Sequence, residues 1–149
     1  GIVYAPEYEK IWVGAKNSGA KLNGIKLKNL SSSDKLIFID NTKKPHGITN
    51  QLMKTMGSNS YYESGSIGLK SVLVADGTVD LFVKDIIVRD WDLAPAYVIL
   101  REVGGCLALH NGSDYVFSGP IEKKDGFIVA RDSKLLDKTV RSIKIIQNN

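Results

Sequence analysis

Arg89-Asp90-Trp91-Asp92-Leu93-Ala94-Pro95 is the stretch of this 149-residue chain that decides its fold. It follows the apolar run Ile86-Ile87-Val88 and leads into a run that is apolar nearly all round and closes on Val103-Gly104-Gly105. This order predicts a buried helix from Leu93 to about Val103 with carboxylates at its mouth. An acid in that position suits either metal ligation or simple helix capping.

Pro95 indicates which of the two aspartates begins that helix. Proline has no N–H and fits only near the start of a helix, where that donor is not needed by the ladder. We therefore predict Asp92 as the N-cap, with Pro95 at the third helical position and Asp90 just outside. A carboxylate there is stabilised by about 0.3–1 kcal/mol and stays ionised, as a metal ligand must.

The composition predicts one ordinary globular domain, with 43% hydrophobic and 24% charged residues. The net charge of +4 is small and dispersed, so no nucleic-acid polymer is expected as a partner. No apolar stretch reaches the roughly 18 residues of a membrane span, so no membrane partner is expected. The lone cysteine, Cys106, excludes an internal disulfide and is typical of a reducing compartment, which predicts the cytoplasm.

Strand and helix patterns alternate along the chain after an opening hairpin at Asn23-Gly24. Predicted strands are Lys10–Ala15, Ala20–Leu22, Ile25–Leu27, Leu36–Asp40, Val79–Val83, Cys106–Leu109 and Phe127–Ala130. The other predicted helices are Gly47–Met56, a helix capped by Ser66 that runs to Asp76, and Lys134–Ile143. This alternation predicts a single α/β domain over residues 1–149, a three-layer α-β-α sandwich.

A second helix start lies at Gly65-Ser66-Ile67-Gly68-Leu69-Lys70. Its free N–H groups could receive a phosphate or a substrate hydroxyl, or it could be an ordinary capped helix. The pair Lys84-Asp85 could project a charge into the same cleft, or lie in a solvated loop. His46 and His110 have no second ligand at metal spacing, and Cys106 is expected in the core rather than as a nucleophile.

Four segments, in order and over nearly the whole chain, resemble the carboxyl-terminal half of the inositol monophosphatase superfamily. Gly1-Ile2-Val3-Tyr4-Ala5-Pro6 resembles the family motif G-V-V-Y-x-P, and Gly19-Ala20-Lys21-Leu22-Asn23-Gly24 resembles G-A-x-x-N-G. The segment from Gly65 to Asp80 resembles G-S-x-x-L…V-A-x-G-x-x-D, and the segment from Trp91 to Gly105 resembles W-D-x-A…E-A-G-G. The resemblance implies the carboxyl-terminal domain of the sugar phosphatase fold. It also implies a magnesium-dependent, commonly lithium-sensitive phosphomonoesterase that acts on small phosphorylated substrates.

The resemblance implies a role for each residue of the candidate site. Asp92 would be the metal-ligating aspartate that this half contributes. The substrate side would be formed by the backbone of Gly65, Ser66 and Ile67, by Lys70, and by Asp85 or Lys84, since the loop is one residue longer than usual.

The family's other metal ligands, an upstream glutamate and a D-P-[IL]-D-G-T motif, belong to an amino-terminal half that this sequence does not contain. The family's chemistry uses two or three Mg²⁺ ions, and one carboxylate does not hold Mg²⁺. We therefore expect this chain alone to be inactive. We also expect an apolar patch where it meets its own amino-terminal domain, and association in solution, with a homodimer among the expected partners.

The substrate branch rests on the helix sequence and on Lys70. Pro95, Val98-Ile99-Leu100 and Lys70 favour the 3′(2′),5′-bisphosphate nucleotidase branch, whereas the loop Lys84–Asp90 matches neither that branch nor the inositol monophosphatase branch. The expected substrate is therefore an inositol phosphate or a bisphosphate nucleotide.

Two other functions compete with this interpretation. A haloacid-dehalogenase-like phosphatase would use Asp90 and Asp92, but Ala94 replaces the threonine or valine that its motif requires. The second alternative is a non-catalytic α/β module that binds a nucleotide or a protein partner.

Overall fold

The computed structural model describes residues 1–31 and 35–148 and contains, within them, eleven strands, four α-helices and one short 3₁₀ helix at Pro6–Tyr8. In chain order they are β1 (Ile2–Ala5), β2 (Lys10–Ala15), β3 (Gly19–Leu22), β4 (Ile25–Lys26), β5 (Ile37–Asp40), α1 (Gly47–Met56), β6 (Ser60–Glu63), α2 (Ile67–Ala75), β7 (Leu81–Lys84), β8 (Val88–Arg89), α3 (Asp90–Arg101), β9 (Cys106–Leu109), β10 (Glu122–Lys123), β11 (Phe127–Ala130) and α4 (Ser133–Gln147).

A five-stranded sheet with the order β6-β5-β7-β11-β9 forms the central layer. Strand β5 is parallel to β6 and β7, while β11 is antiparallel to β7 and β9. Successive side chains point to opposite faces, so Phe38 packs with α1 and α4 and Ile39 packs with α2 and α3. The predicted three-layer α-β-α sandwich is confirmed. Among the described residues, no helix is long and apolar enough to cross a membrane.

A fourth layer, which the sequence patterns did not predict, covers the outer side of α2 and α3. It is the antiparallel sheet β1-β2-β3-β4, whose predicted hairpin turn at Asn23-Gly24 is confirmed. The Asn23 side chain accepts the Ile11 N–H at 2.8 Å and donates to the Glu9 carbonyl at 2.9 Å. Trp12 is fully buried, and its indole N–H donates to Asp76 at the end of α2. Helices α2 and α3 therefore lie between two sheets.

Most predicted elements are present within one or two residues of their predicted bounds, but three strands were missed. These are β6 (Ser60–Glu63) and the short antiparallel pair β8–β10. Strand β6 is an edge strand with partly exposed side chains, so it lacks the apolar run that marked its neighbour β5.

The predicted start of α3 is wrong. The helix begins at Asp90 with Arg89 as its N-cap, so Asp92 is the third helical residue and Pro95 lies inside the helix. Tertiary contacts explain the earlier start, because the Asp90 N–H donates to the Ile121 carbonyl next to the β8–β10 pair. The Asp92 carboxylate caps the helix from within by accepting the Arg89 N–H at 3.0 Å.

Glu102 fixes the other end of α3 to the turn between β2 and β3. Its carboxylate accepts the backbone N–H groups of Asn17 at 2.8 Å and Gly19 at 2.7 Å. These hydrogen bonds lower the pKa of Glu102. A Cβ on Gly105 would lie 2.3 Å from the buried Leu100 side chain, which would have to move to make room for any other residue. The end of the W-D-x-A…E-A-G-G segment is therefore explained by packing.

Gly14 allows β2 to lie directly against α3, and Gly14→Ala tests that contact. A Cβ at Gly14 would lie 2.9 Å from the Ile99 Cα, so two backbone segments would have to separate. We expect a loss of about 1–3 kcal/mol in the free energy of unfolding, measured by urea denaturation. Gly65→Ala is the control, since a Cβ there meets nothing within 4 Å. Equal losses in the two variants would contradict the close packing.

Candidate functional site

Helices α2 and α3 begin side by side and form the wall of an open cleft of about 500 Å³. A Cβ on Gly68 would lie only 3.8 Å from the Asp92 carbonyl oxygen, which shows how closely the two first turns approach. The cleft is lined by Ile2, Val3, Ser66, Ile67, Gly68, Trp91, Asp92 and Pro95. Two positive helix ends thus share one opening, an arrangement that favours an anion.

The structure brings Asp92 together with two of the predicted substrate-side residues, Ser66 and Ile67. One oxygen of the Asp92 carboxylate accepts the Arg89 N–H, and the residue is half-buried at the cleft. Within residues 1–31 and 35–148, no three acidic, histidine or cysteine side chains come together as a metal site. The described residues therefore offer one carboxylate, which does not fit a complete Mg²⁺ site.

The turn before α2 has an unusual backbone. Ser66 has φ +57° and ψ 129°, a backbone conformation that residues other than glycine rarely adopt and that costs about 1–3 kcal/mol. Its hydroxyl accepts the Leu69 N–H at 3.3 Å and caps the helix as predicted. Two residues earlier the chain is tied to the sheet, since the Ser64 N–H donates to the Asp40 carbonyl at 2.9 Å.

Lys70 lies behind this turn rather than at the surface of the cleft. The residue is only 3% exposed, and its ammonium donates to the Ser64 carbonyl at 3.4 Å. It also lies 4.9 Å from the centre of the Phe82 ring. Burial lowers the pKa of Lys70 to about 8, an effect opposed by the carboxylate of Asp40 and reinforced by the ammonium of Lys84.

Of the two candidates in the longer loop, Lys84 is the one whose charge acts on Lys70. Its ammonium is 2.8 Å from one oxygen of Asp40 and donates to the Asn41 side chain at 3.1 Å. Asp85 is exposed, and its charge acts instead on His110, whose pKa is lowered mainly by burial.

Sequence reasoning missed Asp40, which it treated only as the last residue of a strand. The signal was present, because an acid directly after the apolar run Ile37-Phe38-Ile39 stands at the carboxyl end of a parallel strand, where sites of α/β sheets are built. Asp40 is 1% exposed and accepts hydrogen bonds from Lys84, Thr49 and the Asn41 N–H.

The other polar residues near the site stabilise the fold. Asp90 accepts a hydrogen bond from the Tyr115 hydroxyl at 3.0 Å and lies 3.6 Å from the Lys123 ammonium. Burial raises the pKa of Tyr115. Cys106 is half-buried in β9, and burial raises the pKa of its thiol, which does not favour a nucleophile.

The comparisons with known proteins point to the same family as the sequence motifs. The model of the inositol monophosphatase family matches residues 1–148. Inositol monophosphatase 1 of Mus musculus is 30% identical over 157 residues, which cover 98% of this chain and 54% of that protein. Nus factor SuhB of Pasteurella multocida is 29% identical over 128 residues, covering 80% of this chain and 48% of that protein.

A solved structure also matches. Inositol monophosphatase-II from Staphylococcus aureus superposes with a TM-score of 0.76 and 26% identity, over 95% of this chain and 53% of that chain. The chain spans about half the length of the curated relatives it matches.

The buried Lys70 ammonium predicts a distinct pH dependence of stability. Its folded pKa of about 8 lies below the ordinary value of 10.5, so the charged form weakens the fold below pH 8 and this penalty is relieved as the pH rises toward 10.5. We expect wild-type protein to gain stability relative to Lys70→Met between pH 7 and pH 10. Urea unfolding at both values measures this, with the exposed-site variant Lys54→Met as control. A constant difference would contradict the burial of a charged ammonium.

Proposed function

The chain belongs to the inositol monophosphatase family, and on that premise we propose that it forms the carboxyl-terminal half of a magnesium-dependent phosphomonoesterase. The observation that supports this most is the cleft where α2 and α3 begin together with Asp92 at their junction. The proposed substrate is a small phosphate ester, an inositol phosphate or a 3′(2′),5′-bisphosphate nucleotide, and the proposed reaction is hydrolysis by metal-activated water.

In this proposal the chain binds and orients the substrate. The N–H groups at the start of α2 and α3 stabilise the phosphate charge in the open cleft. The strained turn at Ser66, with Gly65 and Ile67, presents backbone groups to the hydroxyl or ribose side of the substrate. Lys70 and Asp85 are proposed on the substrate side by family resemblance, Lys70 acting from behind the turn.

We propose that an amino-terminal half supplies the remaining metal ligands and that this chain alone is inactive. The outer face of the β1–β2 pair supports such a partner, because it carries large apolar side chains opposite the buried Trp12 face. Tyr4 is paired with Ile11 and Ile2 with Val13, and their exposed fractions range from 38% to 61%. An apolar surface of this kind favours burial against another domain.

The family resemblance also supports inhibition by lithium, a homodimer and a cytoplasmic location as parts of the same proposal. The alternative function is a non-catalytic module that binds a nucleotide or a protein partner. One observation favours it, since proteins named as Nus factors stand among the relatives.

Asp92→Asn in the full-length protein tests the proposed metal ligand. The amide oxygen can still accept the Arg89 N–H, so the helix start should be retained. We expect Mg²⁺-dependent phosphate release to fall on the order of 100-fold or more, because a neutral amide is a poor ligand for Mg²⁺. The assay uses inositol 1-phosphate and adenosine 3′,5′-bisphosphate.

Asp137→Asn, at an exposed position on α4, is the matched control and should keep full activity. Unchanged activity in Asp92→Asn would contradict the assignment of Asp92. No release by folded wild-type protein from any substrate of the family would favour the binding module.

A further inference from the structure

A second cavity lies at the edge of the central sheet opposite to the cleft. Its volume is about 610 Å³, against about 500 Å³ for the cleft. Leu36 precedes β5 and Ser60 begins β6, so the cavity lies at the amino ends of these two parallel strands. The cleft lies beyond the carboxyl end of β6, where α2 begins. The two openings are therefore separate.

The charged lining of this cavity is mostly basic. Within residues 1–31 and 35–148, the cationic side chains that line it are Lys35, Arg131, Lys134 and Lys138. The acid that lines it with them, Asp132, is already engaged, since it accepts the Leu135 N–H at 2.8 Å and the Arg131 Nε–H at 3.1 Å. Asp132 thereby caps α4, so the side chains rather than the helix end supply the positive charge.

Arg131 is held in place with one nitrogen left for a ligand. Its Nη1 donates to Asp80 at 2.6 Å and its Nε donates to Asp132, which fixes the plane of the guanidinium. The side chain is 11% exposed, and Nη2 makes no hydrogen bond to the part of the chain that the structure describes. The two carboxylates offset the charge of Arg131, so it contributes a directed N–H group of the kind that binds phosphate oxygens.

Lys134 and Lys138 supply charge that no acid compensates. They stand one turn apart on α4, and both line the cavity. Both residues are exposed, and neither forms an ion pair or a hydrogen bond with any described residue. Like charges one turn apart on a helix repel each other. An anion bound between the two ammonium groups removes that repulsion.

The remaining lining suits an organic group. Its apolar part consists of Leu36, Met56 and Leu135. The turn of residues 57–60 lines the cavity as well and is fixed by Ser58, whose hydroxyl donates to the Leu36 carbonyl at 2.6 Å and accepts the Ser60 N–H at 3.2 Å. Small-molecule sites have volumes of roughly 300–1,000 Å³ and combine an apolar lining with a few placed polar groups. This cavity has both properties.

We propose that the cavity is a second ligand site, which binds a small molecule that carries a phosphate or diphosphate group on an organic body, such as a nucleotide. Lys134 and Lys138 bind the phosphate charge, Arg131 orients it, and the apolar side chains cover the organic body. The inference goes beyond the proposed phosphatase function and does not depend on it, because the cavity shares no lining residue with the cleft in the described part of the chain.

The test measures binding of adenosine 5′-diphosphate to the full-length protein by isothermal titration calorimetry, with EDTA present so that metal-dependent hydrolysis does not contribute. We expect the wild-type protein to bind it. Pyrophosphate should bind about 10-fold or more weakly, since it carries the charge but lacks the organic body that covers the apolar lining. Replacing both lysines, Lys134→Gln with Lys138→Gln, should weaken binding of the nucleotide about 10-fold or more, because two ammonium contacts to phosphate are lost.

Arg141→Gln with Lys144→Gln is the matched control, since it removes two positive charges from exposed positions of the same helix outside this cavity. It should bind the nucleotide as the wild-type protein does. If the variant of Lys134 and Lys138 does not fold, Lys138→Gln alone replaces it, with an expected loss of about threefold.

Unchanged binding in the variant of Lys134 and Lys138 overturns the inference, because the nucleotide then binds elsewhere, the cleft included. An equal loss in the control variant also overturns it, since that result indicates a general effect of net charge. Equal affinities for the nucleotide and pyrophosphate overturn the proposed ligand class, and no binding by wild-type protein at millimolar concentration overturns the site. Phosphate release from inositol 1-phosphate with Mg²⁺, measured separately, decides the phosphatase proposal in every case.

Discussion

The close packing of α2 against α3 between two sheets is the constraint on which the rest of the structure depends. Glycine at position 14 lets α3 approach β2 to near backbone contact, and at the start of α2 a Cβ on Gly68 would reach van der Waals contact with the Asp92 carbonyl oxygen of α3. The first turns of both helices are thereby held side by side, at the surface, where residues of both line one cleft. The candidate site is a consequence of this packing, because the cleft is lined by residues of both helix starts and neither one forms it alone.

Several charged residues of the family segments hold this frame rather than face the cleft. Glu102 ties the end of α3 to the β2–β3 turn, and Asp76 ties α2 to the buried Trp12. Asp80 pairs with Arg131 where β7 begins and β11 ends, and it accepts the Ile37 N–H at 2.7 Å. Asp92 differs from these, since it caps its helix and also lines the cleft.

The features that were predictable from the sequence are local. The Asn23-Gly24 hairpin and the Ser66 cap follow from preferences of neighbouring residues, and both are confirmed. The start of α3 was predicted wrongly because the β8–β10 contact, distant in sequence, begins the helix before Pro95 can limit it. The burial of Lys70 and the pairing of Asp40 with Lys84 depend on strand order, which a single sequence does not specify.

The central claim is that the cleft beside Asp92 becomes a metal-dependent phosphatase site in the full-length protein. The most direct measurement is a crystal structure of that protein with inorganic phosphate and Mn²⁺ in place of Mg²⁺, with the metal located by anomalous scattering. The account predicts a metal ion about 2.0–2.3 Å from an Asp92 carboxylate oxygen, with phosphate against the first turns of α2 and α3. Metal and phosphate bound together with no contact to Asp92 would contradict it.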